Sequence, residues 1–286
     1  MAKVTILGSA AAEGIPAMFC NCRVCQEAWK NGGKDIRKRA AYKLNDHVRI
    51  DFGPDTLYQE HQYQLHSENL KHVFITHNHE DHIDTHLLVY RMPGFSVVDP
   101  DNILNIYGSD GIYHKIHQNF WRMFLFEGDF AKFRLNPVKL QPFEHIVLED
   151  EDMEFYALKA DHMWDQVLDR PFFYVFRNGK SWAMIANDTG YFPDETWAFL
   201  EEKKFKFDLV ITDCTGGVND IEHGHMSGKW VLDTKKRLEK IGSVTADTKY
   251  YINHFSHNGN ATHAELEAHY NPHGIQVGYD GLEIEY

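Results

Sequence analysis

The stretch Thr76-His77-Asn78-His79-Glu80-Asp81-His82 decides how this chain is read. It follows His72-Val73-Phe74-Ile75, an apolar run with the length and composition of a buried strand. Side chains at i, i+2, i+4 and i+5 share no single face of a helix or a strand. They can converge on a turn, so the reading is a strand that delivers four side chains to one point at its end. Imidazole nitrogen and carboxylate oxygen are donors that borderline divalent ions such as zinc accept. The competing reading is a polar loop that is merely rich in histidine, and 19 His in 286 residues means that the count alone decides nothing.

Two ions need roughly six or more ligand positions, so other segments must contribute. Three further apolar runs end on a suitable residue. Phe155-Tyr156-Ala157-Leu158-Lys159-Ala160-Asp161-His162 supplies His162, Trp182-Ala183-Met184-Ile185-Ala186-Asn187-Asp188 supplies Asp188, and Tyr250-Tyr251-Ile252-Asn253-His254 supplies His254. Taken singly, an Asp at a strand end reads as a turn or cap and a His as an ordinary polar residue. Three in series behind the 77–82 run point to one shared centre.

Around these segments the chain carries short β-type runs at Val4–Leu7, His47–Phe52, Ile103–Tyr107, Phe172–Phe176 and Leu209–Thr212. Helical patterns are fewer and fall mostly in the second half. Ser227–Ile241 closes at Gly242, Thr262-His263-Ala264-Glu265 forms a capping box, and Pro193–Phe199 and Asp110–Phe126 also read as helical. There is no internal repeat or Pro/Ser-rich linker. The expectation is one α/β domain over 1–286, built as a layered sandwich rather than a single parallel sheet.

The formal charge of −13 argues against a broad nucleic-acid surface, which needs clustered Lys and Arg. It leaves room for a small phosphate ester, because bound cations can reverse the local field. The N-terminus lacks the apolar core of a signal peptide, and no apolar stretch approaches the roughly 20 residues of a membrane span. Three of the four cysteines, Cys20, Cys22 and Cys25, lie too close together for an ordinary disulfide framework, so the cluster reads as metal binding in a cytoplasmic protein. Three thiolates need a fourth ligand to close a tetrahedral site, and His257 is the candidate. Three buried thiols or a redox pair is the alternative. Cys214 reads as a small buried hydrophobe.

The 77–82 run matches the H-x-H-x-D-H signature of the metallo-β-lactamase superfamily, and His162, Asp188 and His254 follow in the order of its later ligands. The resemblance implies a four-layer αβ/βα sandwich with a site for two divalent ions, zinc or manganese, at one end. It implies that His77, His79 and His162 serve one ion, Asp81, His82 and His254 the other, and that Asp188 bridges them. Asp51, in Ile50-Asp51-Phe52-Gly53, corresponds to an Asp that supports the site without ligating. The signature usually continues with Gly three residues after its last His, where this chain has Thr85.

Both ends narrow the resemblance. Ile6-Leu7-Gly8-Ser9 leading into C-x-C-x-x-C, together with Asn187-Asp188-Thr189-Gly190, Asn253-His254-Phe255-Ser256-His257 and Val277-Gly278-Tyr279-Asp280-Gly281, is similar to the PhnP-like phosphoribosyl cyclic phosphodiesterases. That group implies a structural zinc on Cys20, Cys22, Cys25 and His257, a homodimer, and a catalytic His before a helix. His225 in Glu222-His223-Gly224-His225-Met226-Ser227 stands at that position, with His223 as competitor. The resemblance thins over 86–160. That stretch holds Arg91, Trp121, Arg122 and the aromatic run Phe120–Phe126, which reads as core or as a pocket wall; Trp164 beside His162 also reads as a pocket wall.

The expected chemistry is hydrolysis of a small phosphodiester, cyclic or open. Two ions lower the pKa of a shared water, hydroxide attacks phosphorus, and His225 protonates the departing alkoxide; Asp81 and His225 are therefore the expected catalytic pair. Hydrolysis of a lactone, a thioester or an RNA 3′ end on the same ions is the second reading. A redox or carrier protein like those of pyrroloquinoline quinone biosynthesis is the third, disfavoured by the full ligand set for two ions.

Overall fold

In a computed structural model, which describes residues 1–125, 128–162 and 170–286, the apolar runs become two seven-stranded sheets. The first contains β1 (Lys3–Gly8), β2 (Ala41–Lys43), β3 (Val48–Ile50), β4 (His72–Phe74), β5 (Leu104–Gly108), β6 (Leu135–Lys139) and, from the far end of the sequence, β14 (Glu283–Glu285). The second contains β7 (His145–Leu148), β8 (Met153–Lys159), β9 (Phe172–Asn178), β10 (Ser181–Ala186), β11 (Phe207–Asp213), β12 (Lys249–Asn253) and β13 (Gln276–Val277). Their orders are β14-β1-β2-β3-β4-β5-β6 and β13-β12-β11-β10-β9-β8-β7. In the order given, the first sheet has three antiparallel pairings followed by three parallel ones, and the second has three parallel pairings followed by three antiparallel ones.

The period-2 alternation of the strands explains why the sheets stack. In β9, Phe172, Tyr174 and Phe176 face the inter-sheet core, where they meet Ile6, Ile50, Phe74, Phe155 and Ile211. Phe173 and Val175 face the other way, into a cluster with helix residues. Strands apolar on both faces must be covered on both, so each sheet carries helices on its outer side. Burying one such Phe or Tyr contributes about 1.5–3 kcal/mol.

Seven α-helices lie among the described residues. On the second sheet pack α1 (Arg23–Asn31), α5 (Asp194–Lys203), α6 (Lys229–Lys240) and α7 (His263–Tyr270), contributing Val24, Trp197, Val231 and Leu266. On the first sheet pack α3 (Thr85–Val89) and α4 (Asp110–Phe124), contributing Leu88, Ile112, Ile116 and Phe120. The remaining helix, α2 (Thr56–Tyr63), lies against β1. The layers are helix, sheet, sheet, helix: the αβ/βα sandwich. Among the described residues no helix is long and apolar enough to cross a membrane.

The expected concentration of helices in the second half is corrected, since α1 to α4 all begin by residue 110. Their signals are weak locally: α1 is masked by the cysteine run, and α3 is a short helix capped by Asp84, whose carboxylate accepts from His86 N. The capping box of α7 forms as read, with Thr262 accepting from Glu265 N and Glu265 reaching back to Thr262 N. Gly242 follows α6 with φ 73°.

Strands β3 and β4 are parallel, as are β10, β11 and β12, so within each sheet their C-terminal ends share one edge. The two sheets are tied there: Phe172 N donates to Thr76 O at 2.8 Å and Tyr174 Oη to Ile75 O at 2.7 Å.

Candidate metal centre

The strand ends carry the candidate residues, and the chain kinks where it delivers them. Asp51 after β3, Asp188 after β10 and His254 after β12 have φ of 64°, 49° and 65°. Left-handed backbone at a non-glycine residue costs on the order of 1–3 kcal/mol and persists only where the surroundings fix it. Here Tyr42 helps to fix two of the three. Its hydroxyl accepts from Asn187 Nδ2 at 2.6 Å and Asn253 Nδ2 at 2.7 Å, the residues preceding Asp188 and His254.

The structure brings His77, His79, Asp81, His82, His162, Asp188 and His254 together. His77 Nε2 lies 2.8 Å from His79 Nδ1, and His162 Nε2 lies 3.4 Å from the same atom. On the other side, His82 Nε2 is 3.0 Å from Asp81 Oδ2 and 3.0 Å from Asp188 Oδ2. His254 Nε2 is 2.8 Å from Asp188 Oδ2. The second Asp188 oxygen faces the first group, 3.7 Å from His162 Nε2. Asp188 thus stands between the two sets with one oxygen toward each.

Four imidazoles are oriented from behind. His82 Nδ1 meets Asp51 Oδ2 at 2.7 Å, His162 Nδ1 donates to Gly224 O at 2.6 Å, His254 Nδ1 meets Thr215 Oγ1 at 2.8 Å, and His77 Nδ1 meets Thr76 Oγ1 at 3.1 Å. Each therefore turns Nε2 inward. Asp51 is buried and also accepts from Thr76 N and Thr76 Oγ1, so it touches His82 but not the inner space.

These residues fit divalent ions. The buried atoms His82 Nε2 and His254 Nε2 lie 3.0 and 2.8 Å from Asp188 Oδ2, yet none of the three has a hydrogen-bond partner of suitable geometry. Donor atoms that share an ion at about 2.1 Å have that spacing. Electrostatics agree. Burial lowers the His82 pKa, but Asp81, Asp188 and Asp51 outweigh it and hold the ring well above the ordinary histidine range. Burial likewise acts downward on His254, and Asp188 and Asp213 outweigh it, to about 10. Burial would raise Asp188, but His254 and His82 carry it well below the carboxylate range. The carboxylates call for positive charge at this point, which ions supply without protonating the rings.

Thr85, where the signature usually has Gly, is the buried first residue of α3, so the turn after His82 runs straight into a helix. The turn instead depends on Gly53: a Cβ there would lie 1.9 Å from Asp81 O.

The two competing histidines separate clearly. His223 is exposed and pairs with Asp161 at 3.1 Å, whereas His225 lines the cavity with Nδ1 3.1 Å from Asp213 Oδ2 and 3.8 Å from Asp188 Oδ1. Burial lowers the His225 pKa, but Asp213 outweighs it and the net shift is upward. Asp213 is the residue that sequence reading missed. Fully buried at the end of β11, it accepts from Thr215 N, Met226 N and Asp188 N. The signal was its place at a strand end, parallel to Asp188.

A second cluster forms away from the cavity. Cys20 Sγ and Cys22 Sγ lie 3.4 and 3.6 Å from His257 Nδ1, and the donor atoms of Cys20, Cys22, Cys25 and His257 are all within 4.8 Å of one another. Burial acts to raise the Cys22 pKa, but the Cys25 N–H and His257 outweigh it, to about 6; burial pushes Cys25 up to about 12. His257 Nε2 faces Glu13 Oε1 at 3.4 Å.

In the stretch 86–160, Phe120 is core, while Trp121 and Phe124 are exposed. Arg91 is spent on backbone carbonyls, those of Leu70, Asn102 and Arg134 among them. Arg122 lines a cavity beside His79. Phe126 and Trp164 lie outside the described residues.

A family model for the β-lactamase superfamily domain matches residues 47–252, and the chain belongs to that superfamily. Fold and site together define a metal-dependent hydrolase. Among solved structures, a diphosphatase of the PhnP family is 22% identical, with 100% of this chain and 98% of that one covered and a TM-score of 0.72. Zinc-bound PqqB from Methylobacterium extorquens is 14% identical over 99% and 100%, with a TM-score of 0.70. The short form of human tRNase Z is 18% identical over 99% and 98%, with a TM-score of 0.66. No curated protein sequence gives a significant match.

Proposed function

We propose that this chain is a phosphodiesterase acting on a small phosphate ester with two divalent ions, zinc or manganese, in its active site. The observation that carries the reading is Asp188, whose two oxygens face the His77/His79/His162 set and the Asp81/His82/His254 set. His77, His79 and His162 would hold one ion, Asp81, His82 and His254 the other, and Asp188 both. When bound, such a pair draws charge from phosphoryl oxygens and lowers the pKa of water.

The remaining work falls to the chain. Asp51 and Thr215 fix imidazole orientation from behind. His225 faces the same cavity and is our general acid, giving a proton to the departing alkoxide. Asp213 holds that ring in place and favours its protonated form. The resemblance to a PhnP-family diphosphatase supports phosphorus over carbon as the reacting centre. The cysteine cluster with His257 suits a closed structural zinc site, separate from catalysis.

The test is hydrolysis of a chromogenic aryl phosphodiester beside its monoester by metal-loaded protein. Asp188→Ala should abolish diester turnover and lower the bound-metal count. Metal-loaded wild type that turns over neither ester, yet cleaves a lactone or thioester, would refute the phosphodiester assignment.

A further inference from the structure

One carboxylate joins the cysteine cluster to the catalytic cavity. Glu13 lines the cavity of about 400 Å³ that covers the His/Asp cluster, together with Ser256, Asn258 and Gly259. Its Oε1 accepts from Ser256 Oγ at 2.7 Å and from Asn258 Nδ2 at 3.2 Å. The same oxygen faces His257 Nε2 at 3.4 Å. Three consecutive side chains, 256 to 258, thus converge on one oxygen atom, and the middle one belongs to the cysteine cluster.

Local structure explains the convergence. His257–Gly259 is a single 3-10 turn opened by Ser256, whose Oγ accepts from Asn258 N at 3.1 Å. The segment before it is stitched to the loop after β1: Phe255 N donates to Ser9 O and Ala11 N to Phe255 O, both at 2.9 Å. The turn also rests on the loop after β11, where a Cβ on Gly259 would lie 2.8 Å from Gly217 N. The two ring nitrogens of His257 point apart. Nδ1 lies 3.4 and 3.6 Å from the sulfurs of Cys20 and Cys22, and Nε2 faces Glu13. A neutral imidazole that gives Nδ1 to an ion carries its proton on Nε2. That N–H then points at a carboxylate, the arrangement that orients metal-bound imidazoles.

A carboxylate in the wall of a cavity that takes an anionic ester works against binding if it is free to turn inward. Glu13 is not free, because three groups hold one of its oxygens. We infer that Glu13 is a positioning residue that couples the two centres. An ion on Cys20, Cys22, Cys25 and His257 fixes His257, the turn around His257 fixes Glu13, and together they set the side of the catalytic cavity formed by Ser256 and Asn258. Emptying the cysteine centre then loosens one wall of the active site without removing an active-site ligand. The inference rests on the zinc reading of the cysteine cluster and, for its kinetic part, on the phosphodiesterase reading.

The test compares metal-loaded wild type with Glu13→Gln, Glu13→Ala, Cys20→Ser and the Glu13→Ala/Cys20→Ser double variant. Cys20 is half-buried, so its change opens the cysteine centre with less effect on the core than one at the buried Cys25. Zinc transfer to a chromogenic chelator reads affinity, and the thiolate band of cobalt-substituted protein identifies the centre. Glu13→Ala should weaken the cysteine centre on the order of 10–100-fold. Glu13→Gln keeps an acceptor for Ser256 and Asn258 and should recover part of the loss. Amide hydrogen exchange reads the wall, because Asn258 N, Gly259 N and Asn260 N are all bonded within the turn. The peptide that carries them should exchange about fivefold faster or more in Glu13→Ala and in Cys20→Ser, the lower end of typical coupling between sites. The double variant should exchange no faster than the faster single one, since both changes break the same chain of contacts. KM for an aryl diester should rise by a similar factor, with kcat changing less. Unchanged exchange in Cys20→Ser, unchanged zinc affinity in Glu13→Ala, or additive effects in the double variant would overturn the inference. Wild type that holds no ion on its cysteines would remove the zinc reading and the inference with it. Wild type that turns over no diester would count against the phosphodiesterase reading alone, with zinc affinity and exchange still deciding the coupling.

Discussion

Replacing Asp213 by Asn tests whether the buried carboxylate works through His225. Asp213 is fully buried and accepts four hydrogen bonds: Thr215 N at 2.8 Å and Met226 N at 3.3 Å on one oxygen, Asp188 N at 3.0 Å and His225 Nδ1 at 3.1 Å on the other. Asn keeps one oxygen, so in either orientation two of those donors face an amide NH2. Each buried donor left unsatisfied costs about 1–3 kcal/mol, giving about 2–6 kcal/mol in all. At roughly 2–4 °C per kcal/mol, the melting temperature should fall by about 5–20 °C. Activity should fall selectively. With an alkoxide leaving group, which needs a proton, kcat should drop about 10²–10³-fold; with p-nitrophenoxide, which does not, the drop should stay below about tenfold. His225→Ala should show the same selectivity. Metal content is measured in each variant, because His254 also lies 3.4 Å from Asp213. Equal losses on both leaving groups, with metals retained, would refute the proton-donor role of the pair.

Three further outcomes are expected. Gly53→Ala places a Cβ 1.9 Å from Asp81 O, so it should cost about 2–3 kcal/mol or more and weaken retention of one active-site ion, read by melting temperature and metal analysis. His263 is pushed down to about 4 by burial and by the Arg37 guanidinium, whose Nη2 donates to its Nδ1 at 2.8 Å. Its folded pKa thus lies below the unfolded value of about 6.5, so its contribution, at most about 3 kcal/mol, is complete above pH 6.5 and lost as pH falls toward 4. His263→Gln should flatten that part of the stability–pH curve, and an unchanged slope would count against it. Cys25→Ser should release one zinc per chain, leave the active-site ions bound and lower the melting temperature; retention of that zinc in the purified variant would remove the structural-site reading.

Much of the centre was readable in the sequence because its ligands follow strands whose residues are apolar on both faces. Val73, Phe74 and Ile75 mark a buried strand, and the His/Asp run after them can only be a turn. Asp213 escaped because its partner His225 lies in a loop before α6 and nothing local connects the two. Strand β6 carries Pro137 at a sheet edge, where proline is tolerated but reads as a breaker, and β13 is two residues long. Both are defined by their neighbours rather than by their own residues. Arg122 was noticed, but only the packing of Ile112, Ile116 and Phe120 shows which way its face of α4 turns.

The place of β1 bears on how the protein is made. It sits between β2 and β14, with Val4 opposite Ile284, and the bond from Ser9 Oγ to Asp280 Oδ1 at 2.6 Å extends the same seam. On a ribosome adding about 5–20 residues per second, β1 emerges well before β14 and waits on the order of tens of seconds for that second partner. Through that interval an apolar strand has one open edge, the geometry that invites pairing with other nascent chains. A permuted gene that moves residues 276–286 ahead of β1 would give the strand both neighbours early, and its yield of soluble protein would show how much that wait costs the cell.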